Sequence, residues 1–398
     1  MILIVSAIFS PEPVVSANLS FDIATALSSK EKVTVLSPIP TRPYGMFFNQ
    51  QKPSPDYPFE HVVLKTYTCP ESKLFGRFRE SYSLGIATQK YIEENHQKIE
   101  VIYANTWPLF AQKYLVDTAS KYQIPVVLHV QDIYPESISE KIPLIGPIVN
   151  KILLPLDKHI LKASTKVITI SHKMRNYLIQ SRKLKEDKIS VVRNWQDDSI
   201  FLEHKNQSYK SDMFTFMYLG SINPTAGVDL LIHAFGKADL YNARLIIAGG
   251  GSDKEKCMEI AKGYPNKIIE FYEVSGKEVP TMQAKADVLM LPLKKGVAKT
   301  ALPSKLTAYM LSAKPIIASI DTDSEPADII RDNRCGFVIE PENEQQLINC
   351  MIDVSKTDKD ILLKMEQQSF NYAKEHLSRE KNLSKILTII QSVKKEIL

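Results

Sequence analysis

Three lysines lie around a predicted helix start near residue 304. Pro303 and Ser304 suit the first turn of a helix. The flanking lysines are Lys295, Lys299 and Lys305. Free backbone amides and the positive dipole end of a helix N-terminus attract anions, and ammonium groups beside them add to that attraction. The pattern therefore predicts a diphosphate site, with a capped surface helix and solvated lysines as the alternative.

A run of three glycines closes another predicted strand. Gly249, Gly250 and Gly251 follow the apolar run Leu245–Ala248 and are expected to open a helix over Ser252–Lys262. Glycine lets backbone amides approach a phosphate closely, so Gly250 is a candidate ligand contact. The alternative is a tight strand-to-helix turn. The spacing is not GxGxxG and does not indicate a dinucleotide.

In the first half of the chain, polar residues directly follow a predicted strand. Gln131 and Asp132 come after the strand that contains His129. The Asp132 carboxylate could orient a hydroxyl group or accept its proton. The alternative for Asp132 is a cap on the following turn. We expect His129 to be a hydrogen-bonded core residue.

The loop after the first strand also carries polar candidates. Glu12 and Asn18 lie in this loop, where they could contact a ligand. Ser16 could join them or could serve as the N-cap of the next helix.

Predicted strands and helices, which alternate along the chain, must position these residues. Continuous apolar runs such as Ile2–Phe9, typical of strands buried on both faces, alternate with segments of helical spacing. The alternation stops in the polar stretch Asn194–Asp212 and restarts at Phe214. Strands separated by helices predict parallel sheets with right-handed crossovers. Ligands of such sheets bind beyond the carboxyl ends of the strands.

We therefore predict an α/β protein with two Rossmann-like, doubly wound parallel-sheet domains facing a cleft. The predicted domains cover residues 1–195 and 213–375, with a linker between them. A helix at 376–398 could pack back on the first domain.

The composition excludes several classes of protein. The chain has 398 residues, 44% hydrophobic and 24% charged, which is typical of a globular enzyme of two domains. None of the four cysteines forms a CxxC pair, so we expect buried thiols in a reducing cytoplasm rather than a zinc or redox site. The start of the chain lacks the basic region of a signal peptide, and no apolar run predicts a membrane span. The net charge of +5 is mild, and no nucleic-acid partner is expected.

One segment departs from this even charge distribution. Residues 142–166 mix apolar bulk with lysines, and from Lys141 to Lys166 five lysines face one acid, which gives 5 − 1 = +4. Such a segment could lie on the anionic inner face of the cell membrane. The alternative is a core helix of the first domain.

Taken in order, these segments resemble family 4 of the retaining glycosyltransferases, especially the branch that builds bacterial capsule and O-antigen. The likeness extends over nearly the whole chain and implies the GT-B fold. The segments that carry it are Phe9–Asn18, Gln131–Ser137, Tyr218–Phe235, Leu245–Gly251, Ala286–Leu293, Pro303–Ser319 and Cys335–Pro341.

The resemblance implies metal-independent, retaining transfer of a sugar from a nucleotide sugar, often a UDP-sugar, to a lipid-linked glycan or surface polysaccharide. The acceptor would dock in the first domain and the donor in the second, where lysines and a helix N-terminus would hold the diphosphate. No metal or other cofactor is expected. The implied residues are Asp132 and Gln131 for catalysis, Glu12, Ser16 and Asn18 on the acceptor side, and Gly250, Lys295, Lys299, Thr300, Ser304, Lys305, Glu325 and Asn223 for the donor.

The chain also departs from the pattern of this family. Many members carry two glutamates eight residues apart, the second on the donor ribose, where Thr300 and Ala308 stand here. Glu325 could supply the ribose contact instead. The common arginine and lysine after the strand that opens the second domain are missing from Ser221–Ala226, and Gln131 stands for a common histidine. These departures leave two alternatives open: a nucleotide-sugar 2-epimerase of the same fold, and a non-catalytic donor-binding scaffold.

Overall fold

A computed structural model describes residues 1–42, 48, 56–71, 73–105, 109–139, 145–195, 198–202, 211–300 and 303–395, with the backbone alone at 202, 299, 300 and 395. The side chains of two predicted donor residues, Lys299 and Thr300, and residues 142–144 of the predicted membrane segment lie outside the described residues. The chain divides into a first unit, Met1–Asn194 with Asn382–Leu398, and a second unit, Trp195–Lys381.

The first unit is built on a seven-stranded sheet. Its strands are β1 (Ile2–Ser6), β2 (Val33–Pro38), β3 (Glu60–Leu64), β4 (Val101–Asn105), β5 (Val126–Val130), β6 (Lys166–Thr169) and β7 (Ile189–Val191). They lie in the order β3-β2-β1-β4-β5-β6-β7, and each described pairing is parallel. β1, β4 and β5 are buried along their whole length, which is why their sequences are mainly apolar.

Helices cover both faces of this sheet, as a doubly wound topology requires. Lys394, near the end of the last helix, pairs with Glu31 and Glu100 of the first unit at Nζ–Oε2 distances of 3.0 and 2.9 Å. The helices are α1 (Val15–Ser28), α2 (Leu74–Asn95), α3 (Leu109–Lys121), α4 (Glu136–Ser139), α5 (Gly146–Ala163), α6 (His172–Arg182) and, at the end of the chain, α16 (Arg379–Lys395).

The second unit has a six-stranded parallel sheet in the order β10-β9-β8-β11-β12-β13. The strands are β8 (Phe214–Leu219), β9 (Ala243–Ala248), β10 (Ile268–Tyr272), β11 (Val288–Pro292), β12 (Ile316–Ser319) and β13 (Gly336–Ile339). The helices are α7 (Ser199–Leu202), α8 (Val228–Lys237), α9 (Lys254–Lys262), α10 (Val279–Gln283), α11 (Val297–Thr300), α12 (Ser304–Leu311), α13 (Glu325–Asp332), α14 (Glu344–Ser355) and α15 (Lys359–Tyr372).

Alternate residues of the central strand β8 face two separate apolar layers. Met217 and Leu219 join the core that contains α12. Phe216 and Tyr218 join the core that contains α8 and α14. The second sheet is therefore enclosed on both faces, so its carboxyl edge is the part of it that remains open to a ligand.

Two predicted helix boundaries are wrong. The apolar spacing predicts a helix around Ser81–Asn95, whereas α2 begins at Leu74. It includes Gly76, where a Cβ atom would overlap Sγ of Cys69. That close approach explains a glycine in the first turn of a helix. α9 begins at Lys254 and not directly after the glycine run, because Asp253 takes the N-cap position.

Candidate functional site

At the carboxyl edge of the first sheet, the ends of β1, β4 and β5 surround a pocket of about 230 Å³. Both predicted catalytic residues, Gln131 and Asp132, and the acceptor-side candidate Ser16 lie in its wall. The residues of this first-unit pocket are Ile8, Ser16, Arg77, Asn105, Gln112, His129, Val130, Gln131, Asp132 and Tyr134.

A hydrogen-bond network holds one wall of the first-unit pocket. Nδ2 of Asn105 donates to the Ser16 carbonyl at 3.2 Å and to Oγ of Ser20 at 3.0 Å. Oδ1 of Asn105 accepts from Nε2 of Gln131 at 3.1 Å. Because Asn105 is fixed on both sides, it positions the Gln131 amide just beyond β5.

The predicted catalytic pair differs in exposure. Asp132 is exposed, and its Oδ1 accepts the Ile133 backbone N–H at 2.9 Å, so it does shape the following turn. Gln131 is half-buried. Ser16 does not cap α1, because Val14 occupies the N-cap position.

The structure does not bring the other two acceptor-side candidates into this pocket. Glu12 is buried, and its Oε1 accepts from the Thr41 and Arg42 backbone N–H groups at 2.8 Å each. Its Oε2 accepts from the Phe9 backbone N–H at 3.1 Å. Burial raises the pKa of Glu12, although these hydrogen bonds act in the opposite direction. Glu12 thus anchors the loop after β1, while Asn18 is exposed on α1 outside the pocket wall.

His129 forms only one of its two ring hydrogen bonds within the described residues. Its Nδ1 lies 2.7 Å from the hydroxyl of Tyr103, and both side chains are buried. Its Nε2 is buried with no partner in the part of the chain that the structure describes. Burial lowers the pKa of His129 to about 4, so the ring is neutral near pH 7. The expectation of a fully hydrogen-bonded core histidine is therefore only half met.

A buried ion cluster supports the segment after Asp132, and the sequence interpretation missed it. The Arg182 guanidinium, 1% exposed, donates from Nε to Oδ2 of Asp157 at 2.6 Å and from Nη2 to Oε2 of Glu136 at 2.7 Å. Nη2 also donates to the Tyr134 carbonyl at 2.9 Å. The arginine thereby joins α5 and α6 to the segment that carries Asp132. The only sequence signal for it was Glu136, inside the Gln131–Ser137 phrase.

At the carboxyl edge of the second sheet, two loops pack backbone against backbone. The Gly220 N–H donates to the Ala248 carbonyl at 2.9 Å, and the Ile222 N–H donates to the Gly250 carbonyl at 2.8 Å. Gly249 and Gly251 have positive φ, and a Cβ atom on either would overlap a backbone oxygen of the facing loop. These two glycines are explained by the tight turn.

Gly250 differs from its neighbours, because a Cβ atom there would meet nothing within 4 Å. It is the glycine of the run that borders open space, as a ligand contact requires.

Lys305, at the second position of α12, extends along Gly220 toward this edge. A Cβ atom on Gly220 would overlap the lysine Cε, and Nζ lies 5.7 Å from the centre of the Tyr218 ring. The side chain is half-buried, and burial lowers the pKa of its ammonium group. Among the described residues, no carboxylate forms an ion pair with this ammonium group. We call Gly220, Gly250 and Lys305 together the second-unit edge.

The other predicted donor residues are arranged differently. Lys295 is exposed, and its N–H lies 3.4 Å from Oε2 of Glu342. Oδ1 of Asn223 accepts from Thr225 in its own turn, from N at 3.0 Å and from Oγ1 at 2.8 Å. Ser304 is exposed at the first position of α12, and Glu325 begins α13 beyond β12.

The position of the expected ribose-binding glutamate is occupied by a core residue. Ala308 is 7% exposed and packs in the apolar layer around α12. A glutamate at this position would have to leave that layer, so the local packing agrees with alanine.

In comparisons with known proteins, each of the two units matches a family model. Residues 20–199 match the family model described as Glycosyltransferase Family 4, and residues 200–376 match the model described as Glycosyl transferases group 1. None of the curated protein sequences compared with the chain matches it.

Solved structures share the fold over nearly the whole chain. HepE from Anabaena, in complex with UDP, is 16% identical, with 98% of this chain and 99% of that chain covered and a TM-score of 0.71. A glycosyltransferase from Rickettsia africae is 14% identical over 98% of both chains, with a TM-score of 0.69. WaaG, a glycosyltransferase involved in lipopolysaccharide biosynthesis, is 15% identical over 98% and 99%, with a TM-score of 0.66.

At these identities the structural likeness shows the fold, and the family models show the class. The predicted fold, two parallel-sheet Rossmann-like α/β domains of the GT-B type, is confirmed. Because each unit matches a glycosyltransferase model and the two matches together extend over residues 20–376, this chain belongs to the glycosyltransferases.

Proposed function

We propose that the chain transfers a hexosyl or N-acetylhexosaminyl group from a UDP-sugar to a lipid-linked or surface-polysaccharide acceptor, with retention of configuration. In this proposal the second-unit edge holds the donor and the first-unit pocket receives the acceptor. The similarity to HepE, solved with UDP, supports the nucleotide, and the similarity to WaaG supports a surface-glycan acceptor.

The observation that carries the proposal is the ammonium group of Lys305. A partly buried cation has lost part of its hydration, and among the described residues no carboxylate compensates it. An anionic ligand would restore that compensation. The open space beside Gly250 would let a diphosphate approach the backbone of the same edge.

The chemistry follows from this position. When the bond between the sugar and the diphosphate breaks, negative charge develops on the departing diphosphate. A fixed ammonium at that place stabilises the transition state more than the ground state, which is how electrostatic catalysis lowers a barrier. Asp132 and Gln131, in the other unit, would orient the acceptor hydroxyl. The proposed transfer uses neither a metal nor another cofactor.

Three neighbouring acids contact the remaining part of the basic loop, which makes Lys305 the stronger candidate for the diphosphate contact. Nζ of Lys294 lies 3.5 Å from Oδ1 of Asp229 and 3.7 Å from Oε1 of Glu342. The Gly296 N–H donates to Oδ2 of Asp321 at 2.8 Å. We therefore assign the diphosphate contact first to Lys305 and only second to Lys295.

We also propose peripheral contact with the inner face of the cell membrane, through α5. Ile148 and Ile152 are 61% and 67% exposed on this helix, next to Lys151, whereas Ile160 and Leu161 are buried in the core. The first half of the helix thus exposes apolar side chains beside a lysine, while its second half packs in the core, and an anionic lipid surface suits the exposed half. None of the described helices is both long and apolar enough to cross a membrane.

Calorimetric titration with nucleoside diphosphates tests the donor site. We expect UDP to bind the wild-type chain and Lys305→Ala to weaken that binding strongly. Lys262→Ala is the matched control, because Lys262 is an exposed lysine of the same unit paired with Glu259 at 2.6 Å. Absence of binding by every nucleoside diphosphate would refute the proposal. Epimerisation of a UDP-sugar without acceptor would indicate the 2-epimerase instead.

Vesicle sedimentation tests the membrane contact. We expect Ile148→Ser with Ile152→Ser to reduce binding to anionic vesicles, while Leu363→Ser, 57% exposed on α15, leaves it unchanged. Equal binding by both variants would remove α5 from the proposal.

A further inference from the structure

The strand order of the second sheet changes direction between β8 and β11. From β8 the chain continues to β9 on one side, and after β10 it crosses to β11 on the other side. In doubly wound sheets such a change leaves a crevice at the carboxyl ends of the two strands, and ligands bind there. The second-unit edge lies at this place, because Gly220 directly follows β8. The contacts between β8 and β11 therefore determine the floor of the proposed donor site.

β8 and β11 separate before they reach this crevice. β8 pairs with β9 along its whole length, from Phe214 to Leu219, whereas its register with β11 includes only Phe216 and Met217. Within the described residues, the buried Leu219 thus has no ladder partner on the β11 side. A buried backbone N–H or C=O without a hydrogen bond is unfavourable, so another group must supply one.

The hydroxyl group of Tyr309 supplies both hydrogen bonds. It accepts from the Leu219 N–H at 3.0 Å and donates to the Leu219 carbonyl at 3.0 Å. Tyr309 lies on α12 and is fully buried, and burial raises the pKa of its phenol, so the group keeps the proton that it donates. This one side chain joins α12 to the end of β8, at the place where β11 has separated from it.

Lys305 lies one helical turn before Tyr309. Residues four positions apart lie on the same face of a helix, so α12 presents both side chains to the end of β8. Tyr309 bonds to the backbone of Leu219, while the Lys305 side chain extends along Gly220, where a Cβ atom would overlap the lysine Cε. Two successive residues at the end of β8 therefore contact two successive turns of α12.

The ammonium group of Lys305 depends on the helix for its position. Its Nζ lies 5.7 Å from the centre of the Tyr218 ring, and the Tyr218 hydroxyl donates to the Ser221 carbonyl at 2.5 Å. Among the described residues, no carboxylate forms an ion pair that would hold this ammonium group in place. The distance between α12 and the end of β8, which the Tyr309 hydroxyl fixes, therefore also fixes the place of the positive charge.

We propose that Tyr309 is a positioning residue of the donor site, and that its two hydrogen bonds to Leu219 hold α12 where Lys305 meets the diphosphate. The inference rests on the proposed function, because that function assigns the diphosphate to Lys305. Tyr309 is fully buried, so it acts on the donor only through Lys305. A tyrosine that only stabilised the core would leave the UDP affinity of the folded protein unchanged, or would alter it equally with and without Lys305.

A double-mutant cycle in the full chain tests this role. Calorimetric titration measures the UDP affinity of the wild type, Tyr309→Phe, Lys305→Ala and the double variant, at a temperature where circular dichroism shows all four folded. We expect Tyr309→Phe to weaken UDP binding about tenfold in the wild-type background and less than about twofold in the Lys305→Ala background. Equal effects in the two backgrounds, or no effect in either, would overturn the proposal.

Tyr264→Phe is the matched control. Tyr264 is a partly buried tyrosine of the same unit, and its hydroxyl lies 2.9 Å from Nδ1 of His233. We expect this variant to bind UDP like the wild type. A loss equal to that of Tyr309→Phe would show that any missing tyrosine hydroxyl of this unit has the same effect, and the specific role of Tyr309 would be refuted.

Fluorine NMR provides an arm in which the hydroxyl is kept. 3-Fluorotyrosine placed at position 309 alone reports on the hydrogen bonds of this ring. We expect saturating UDP to shift its signal, because the diphosphate contacts Lys305 one helical turn away. A signal that saturating UDP leaves unchanged would contradict the coupling, and this result does not require that Tyr309→Phe folds.

The same titrations separate this inference from the proposed function. If UDP binds to the wild-type chain and Lys305→Ala weakens that binding, while Tyr309→Phe equals the wild type, the positioning role is wrong and the donor function stands. If UDP fails to bind to the wild-type chain, the proposed function fails and the role of Tyr309 fails with it.

Discussion

The carboxyl edges of the two sheets are built from different residues although the sheets share a topology. In the first-unit pocket the wall is rich in polar side chains, held by hydrogen bonds such as that from Gln131 to Asn105. At the second-unit edge the wall is backbone, brought close by Gly249 and Gly251, with the ammonium of Lys305 beside it. The first arrangement suits hydroxyl groups and the second suits an anion.

Under the proposed function, this difference in residues separates the binding of the two reactants. The arginine in the wall of the first-unit pocket, Arg77, already contacts Glu80, whereas the glycine edge offers a sugar few side-chain contacts. Selectivity then comes from what each edge lacks as well as from what it provides. The predictions below alter one edge at a time and use the other as the internal reference.

The largest expected effect is on stability, from Arg182→Ala. This change leaves Asp157 and Glu136 buried or half-buried without their cation, and breaking such a cluster costs about 3–5 kcal/mol. We expect Tm of the first unit to fall by roughly 6–20 °C, measured by calorimetry, with hydrogen exchange of residues 126–182 to assign the transition.

The second-unit edge should not respond to that change. UDP affinity at a temperature where both proteins are folded should match the wild type. Arg331→Ala is the control, because Arg331 forms an exposed pair with Asp328 at 2.9 Å, and such pairs contribute about 1 kcal/mol or less. A loss of UDP affinity in Arg182→Ala would contradict the independence of the two edges.

The next effect is on activity, from Lys305→Ala. Removing a fixed positive charge from the place where the leaving group develops charge should lower kcat/KM for a UDP-sugar by about 10²- to 10³-fold. The Tm of the first unit, measured by calorimetry, should be unchanged. A decrease of less than threefold, with Lys262→Ala equal to wild type, would remove Lys305 from the donor site.

A smaller effect is expected when alanine replaces either of two adjacent glycines, Gly249 and Gly250. Gly249→Ala places a Cβ atom against the Gly220 carbonyl at a φ of +134°, so we expect a loss of about 1–3 kcal/mol in the free energy of unfolding. Gly250→Ala points into open space and should alter that free energy by less than about 0.5 kcal/mol. It should nevertheless weaken UDP binding, because the added methyl group occupies the ligand side. Urea unfolding and calorimetric titration of both variants measure the contrast.

Much of the fold could be predicted because strands that are buried on both faces of a parallel sheet appear in the sequence as short apolar runs. Runs such as Ile2–Phe9 and Val126–Val130 are mainly apolar since helices cover both faces of the sheet. Helix boundaries were less predictable: the first turn of α2 contains Gly76, and only its contact with Cys69 explains that residue.

The candidate sites could be predicted in position but not in detail. Strand ends pointed to Gln131, Asp132 and Gly250. Residue types alone could not show that Glu12 is bound to the backbone of a distant loop, since Thr41 follows it by 29 positions. The pairing of Tyr103 with His129 depends on the neighbouring places of β4 and β5 in the sheet, which the alternation of elements does not specify.

The smallest expected effect is a change in the pH dependence of stability, and it comes from His129 of the first-unit pocket. The pKa of His129 is lowered by burial to about 4, against about 6.5 for an unfolded histidine. Between these values the unfolded chain binds a proton that the folded chain does not, so stability falls as pH decreases from about 6.5 toward 4. His129→Phe removes this contribution. Relative to pH 7.5, the wild type should therefore lose about 1 kcal/mol more than the variant at pH 5.5. Urea unfolding at both pH values measures the difference, and His172→Phe, at an exposed position, should retain the wild-type dependence. Identical pH dependence in His129→Phe and wild type would show that His129 is not held neutral in the folded chain.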